Sequence, residues 1–163
     1  MTPLQTQILD IIGERLKNIT IANGYFTDII KVERARIEPF RNIDMPSANY
    51  YYTNTSKSVG FYNGVSEQNL NVIVEYYKLT RDSPFIDIAA QLSADLLIAL
   101  NRDVTAPLVS DPVSPRLGQK VLRIEVESDT AMLGNDTTPY CGAVLNLSVY
   151  FNYDINDPFN LGV

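Results

Sequence analysis

Apolar residues recur at helical spacing near the N-terminus. Leu4, Ile8, Ile11, Ile12, Leu16 and Ile19 share one face of a helix predicted over 3–20. Thr2 is the expected cap, with Pro3 as first helical residue, where its missing N–H costs nothing. Asn23-Gly24 is the expected stop. The period then changes. Residues 28–37 (DIIKVERARI) are β-compatible but alternate poorly, with Arg34 and Arg36 on one face, and Pro39 and Pro46 interrupt the next stretch. Short strands are predicted at 48–54 and 58–63. The run 70–79 (LNVIVEYYKL) is apolar on both sides, as expected of a central strand covered by a helix on one side and a neighbour on the other.

A second helix is predicted over 84–101, capped by Ser83 and started by Pro84, with Asp87 at the positive end of its dipole. Phe85, Ile88, Ala89, Leu92, Leu96, Ala99 and Leu100 form its buried stripe. Two alternating strands close the chain. In 120–127, Leu122, Ile124 and Val126 form the dry face; in 144–153, Leu145, Leu147, Val149 and Phe151 do. Segments 103–118 and 128–139 are expected to be long loops, mobile until they contact other proteins, and 154–163 a peripheral tail. The order of elements predicts a single α+β domain over 1–163: a mostly antiparallel sheet with two helices packed on one face, a two-layer sandwich.

Composition narrows the chemistry. The chain has no histidine and one cysteine, Cys141. That removes Ser-His-Asp and Cys-His pairs, an internal disulfide and the usual zinc ligand sets. Glycine-rich phosphate loops are absent. Glu125 and Glu127, two apart on one strand face, have no base or nucleophile beside them and read as a solvated face. Asn135-Asp136-Thr137 lacks the glycine and terminal glutamate of a calcium loop. Asn54-Thr55-Ser56 matches a glycosylation acceptor with no secretion signal before it. No catalytic, cofactor-binding or metal-ligating residue is nominated, and no cofactor is expected.

Net charge is −6, from 13 Lys and Arg against 19 Asp and Glu. Residues 1–81 hold nine basic and eight acidic residues, a balance of +1; residues 82–163 hold four and eleven, a balance of −7. The basic footprint of a nucleic-acid binder is missing. No uncharged run approaches the ~20 residues of a membrane helix, so a cytosolic site of synthesis is expected. Tyr50, Tyr51 and Tyr52, with Phe61 and Tyr62, form an aromatic cluster. Consecutive tyrosines on a strand point to both faces, so the cluster is a candidate protein interface.

The opening LQTQILDIIGERLKNITIANGYFTDI resembles the start of tailed-bacteriophage tail terminator (tail completion, head-tail joining) proteins. The matching positions are Ile19, Ala22, Asn23, Gly24, Tyr25, Thr27 and Ile29, then Pro46 before a strand. The later order of strand, helix, variable loop and closing strand pair is also similar. ANYYYTN stands where that family has an aliphatic strand. The resemblance implies a structural, non-enzymatic virion protein, made in the host cytoplasm. It would form a homo-hexameric ring at the head-proximal end of the tail, touching tail tube protein and a neck or connector protein. DNA would pass through without specific binding, and no membrane is involved. On that basis Glu125 and Glu127 are candidate lumen-facing acidic residues, while Arg34, Arg36 and Arg41 belong to the outside or the subunit contacts. Other classes are a neck connector or stopper, a baseplate or minor tail protein, and a small ligand-binding domain or enzyme.

Overall fold

The computed structural model describes residues 2–57, 64–79, 84–101, 121–133 and 139–154, together with 156, 157 and 159. The predicted strand at 58–63, the Ser83 cap and the loop 103–118 lie outside the described residues. Helix α1 spans Leu4–Lys17 and helix α2 spans Phe85–Asn101. The strands are β1 (Lys31–Arg34), β2 (Ser47–Lys57), β3 (Val65–Leu79), β4 (Arg123–Met132) and β5 (Tyr140–Asp154). They form one sheet in the order β1-β2-β3-β5-β4, in which only β1 and β2 run parallel. The α+β sandwich expected from the sequence is the observed fold. Among the described residues no helix is long and apolar enough to cross a membrane.

Cross-strand register places Ala48, Tyr50, Leu70, Val72, Val74, Tyr76, Ala143, Leu145, Leu147 and Val149 on one face of the sheet. Against it α1 brings Leu4, Ile8, Ile12 and Leu16, and α2 brings Ala89, Leu92, Leu96 and Leu100, all buried. Each fully buried Leu or Ile contributes roughly 1.5–3 kcal/mol. The core is thus a single layer between the helices and one sheet face.

Several local expectations are corrected. Thr2 does not cap α1: Pro3 is the cap residue, extended at ψ 149°, with no side-chain cap bond. Its carbonyl accepts the first helical bond, from Gln7 N at 3.0 Å. Strand β1 is only four residues long because Ala35, at φ 53°, turns the chain left-handed. That turn also separates Arg34, bonded to Asp10 on α1, from Arg36, bonded to Glu33. Residues 128–132 are strand rather than loop, paired through Ser128↔Asn146 to Met132↔Gly142. Polar spacing hid this edge strand, whose alternation breaks at a register shift between Val126 and Ser128. Its apolar side faces the helices, yet Val126 is 45% exposed, since among the described residues no further strand pairs with β4. The tail touches α1, where Gln7 Nε2 donates to the Phe159 carbonyl at 2.9 Å.

A buried polar junction joins the two layers. Gly24 adopts φ 86° after the turn Ile21–Asn23, which lets Tyr25 enter the core and brings Thr27 to α2. Thr27 Oγ1 donates to Asp95 Oδ2 at 2.6 Å and meets the Tyr76 hydroxyl, while Phe26 N donates to Asp95 Oδ1 at 2.8 Å. Asp95 is fully buried, so these partners are what make its position tolerable.

Candidate functional site

Among the described residues no helix packs on the other face of the sheet. Register gives its rows: Tyr51–Ile73–Asn146–Ser128, Asn54–Asn71–Ser148–Glu125, and Asn69–Tyr150–Arg123. Most of these side chains are half-buried by their strand neighbours alone. Several of their polar atoms are tied to one another, whereas Asn69 Oδ1 is buried without a hydrogen-bond partner among the described residues. Asn71 Nδ2 donates to Asn54 Oδ1 at 2.6 Å, Ser148 Oγ to Asn71 Oδ1 at 3.2 Å, and Asn146 Nδ2 to Ser128 Oγ. At one end Arg123 lies 3.6 Å over the Tyr150 ring and bonds both Glu125 at 2.9 Å and Glu67 at 3.3 Å.

The opposite end of this face is crossed by the chain. Parallel neighbours need a connection of about a dozen residues or more, and the segment from 35 to 46 supplies it without an α-helix. It places Phe40 6.4 Å from Tyr77, ring centre to ring centre. Between this crossover and the ends of β3, β4 and β5 lies a cleft of about 280 Å³, lined by Phe40, Met45, Glu75, Tyr77, Met132 and Tyr140 among others. Burial and the adjacent Glu75 carboxylate push the Tyr77 hydroxyl well above its ordinary pKa. The crossover is pinned by ion pairs. Bonding to Arg41 holds the Asp44 carboxyl below its usual range, and Lys31 with Arg36 does the same for Glu33.

The tyrosine cluster divides. Tyr50 is 7% exposed and seats its ring on Gly13 of α1, so this candidate interface residue is a core residue. Tyr51 lies on the open face and donates to Glu75 Oε1 at 3.4 Å. Tyr52 faces the helix side but is 51% exposed. Phe61 and Tyr62 lie outside the described residues. Glu125 and Glu127 are both exposed, but the register shift falls at Glu127 and breaks the regular spacing that would set them side by side. Glu125 is moreover partnered by Arg123. Arg34, Arg36 and Arg41 each have a carboxylate partner within the chain: Asp10, Glu33 and Asp44 respectively.

Sequence pattern did not nominate the cleft. Its signal was Glu75, a lone carboxylate inside an otherwise apolar strand, together with the prolines that bracket the crossover. Burial lifts the Cys141 thiol above its ordinary pKa, which suits an inert packed residue. No protein-family model matches this chain, and no curated protein matches it either.

Proposed function

We propose that this chain is a structural assembly subunit, a phage tail terminator that forms a ring of six at the head-proximal end of the tail. There it stops tube polymerisation and joins the tail to the neck. The observation that carries the reading is the sheet face on which no helix packs among the described residues. Most of its asparagine and serine side chains are already hydrogen-bonded within the face, and Tyr51 to Glu75, so a partner covers them at little polar cost, with buried Asn69 Oδ1 the exception. The order of elements supports the same reading: helix, left-handed turn at Gly24, strand, Pro46, strand, then the helix and closing pair. A chain with no histidine suits a scaffold better than a hydrolytic or transfer enzyme.

In this role the half with charge −7 contributes to a lumen that repels DNA phosphate. Exposed Glu127 is the better lumen candidate, since Glu125 is partly neutralised by Arg123. The test is electron microscopy of purified tail tubes mixed with the chain. A closed ring of six copies of 18.3 kDa, 109.8 kDa in all, should cap one tube end and halt further growth. Tubes that elongate unchanged and bear no end density reject the reading, as does a lumen lined mainly by lysine and arginine. Rings bound to portal rather than to tube make the chain a neck connector or stopper.

A further inference from the structure

We propose that the cleft at the crossover end of the open face is a receptor for one cationic side chain, lysine or arginine, presented by a partner protein. Three aromatic rings, Phe40, Tyr77 and Tyr140, line it with Met45, Met132 and the Glu75 carboxylate. Ring faces carry negative potential and thioethers are polarisable, so both attract a weakly hydrated cation. The carboxylate supplies the net charge. Glu75 accepts from Asn49 Nδ2 at 3.1 Å and from Tyr51 Oη at 3.4 Å, both neutral donors. Among the described residues no lysine or arginine pairs with it.

Arg36 also lines the cleft, but it is committed elsewhere. Its guanidinium pairs with Glu33, donates to the carbonyls of Glu38 and Pro39, and packs 4.9 Å from the centre of the Phe40 ring. Glu33 is shared by Arg36 and Lys31, whereas the Glu75 carboxylate that lines the cleft is bonded by neutral donors. A cation is the complementary occupant.

The rim argues for a side chain rather than a free ligand. Ile37 at the mouth is 98% exposed and Met132 is 40% exposed. A lysine or arginine would lay its methylene stem along these apolar groups and carry its head to Glu75. The polypeptide bearing it would cover the rim, which a free ion leaves wet. This inference does not rest on the phage assignment.

The test uses the intact chain and three probes, N-acetyl-lysine amide, N-acetyl-arginine amide and the neutral isostere N-acetyl-norleucine amide, with binding read by NMR. The two cations should shift the methyl signals of Met45 and Met132 and the ring signals of Tyr77 and Tyr140, saturably, and bind at least about tenfold more tightly than norleucine. Glu75→Gln should remove most of that preference, on the order of tenfold, while the core methyls of Leu147 keep their shifts. Tyr140→Leu, which retains the carboxylate, should weaken the cations but not norleucine. Equal binding of norleucine, or unchanged cation affinity in Glu75→Gln, overturns the proposal. Tighter binding of tetramethylammonium would assign a free small cation instead. Glu75-dependent self-association of the chain in sedimentation would put a second copy in the cleft. Either result also overturns it.

Discussion

Thr27 lies three residues after the Gly24 turn, and its hydroxyl links Asp95 of α2 to Tyr76 of β3. Valine has nearly the same shape but cannot donate. Thr27→Val should therefore leave the fully buried Asp95 one donor short, at about 1–3 kcal/mol. A domain of this size should then melt roughly 2–4 °C lower per kcal/mol, and an unchanged thermal midpoint would refute the linking role. Gly13 presents the opposite case, where a missing side chain is what fits. An added Cβ would stand 2.2 Å from Tyr50 Oη and 2.8 Å from its Cζ. The ring is buried and cannot swing aside. Gly13→Ala should thus lower the urea midpoint, even though alanine is the better helix former by about 1 kcal/mol. A raised midpoint would show that the ring yields. Sequence flagged Tyr50 as aromatic surface because tyrosine favours interfaces. What it could not reveal was the Gly13 notch on a helix far away in the chain, which makes room for that ring.

At the scale of elements, position in the sheet decides what a residue is worth. Leu147 and Val126 are register partners on the helix side, one on the central strand β5 and the other on the edge strand β4. Leu147→Ala should cost about 2–5 kcal/mol, whereas Val126→Lys should stay within about 0.5 kcal/mol. Denaturant curves for the two variants should differ accordingly, and equal losses would mean that β4 is buried as deeply as β5. Alternation revealed which side of β4 is apolar but not that the strand lies at an edge, since strand order is absent from periodicity. The amphipathic stripes of α1 and α2 were readable because one helix face meets one sheet face. The crossover was not readable, because the residues that pin it pair with side chains rather than with a ladder. Its ion pairs give it a pH signature. Asp44 has a depressed pKa, so its contribution is present above the ordinary value of 3.8 and is lost as pH falls through the folded-state value. Asp44→Asn should narrow the stability gap between pH 7 and pH 3 relative to the parent, and parallel pH profiles would count against the pairing.

Four tyrosines stand where ionisation is costly, and they bear on how the whole molecule behaves in alkali. Of ten tyrosines, Tyr50, Tyr51, Tyr76 and Tyr77 have hydroxyl pKa values raised chiefly by burial, and for Tyr76 and Tyr77 the shift is large. Tyr76 stands between the two layers, and Tyr77 sits under the crossover on the open face. A raised folded-state pKa favours the neutral form, so the associated stability is fully present below the unfolded value near 10. It is lost as pH rises through the folded-state values. Because Tyr76 touches the Thr27–Asp95 junction, a phenolate there would lie close to a buried carboxylate, and opening the layers is the cheaper route to ionisation. Ionisation of Tyr76 and Tyr77 should therefore appear in the tyrosinate absorbance only together with loss of the circular dichroism of the folded chain. In Thr27→Val that joint transition should move to lower pH, since the variant starts closer to unfolding. Tyrosinate absorbance that reaches its full value with the fold unchanged would show that Tyr76 and Tyr77 ionise without parting the two layers.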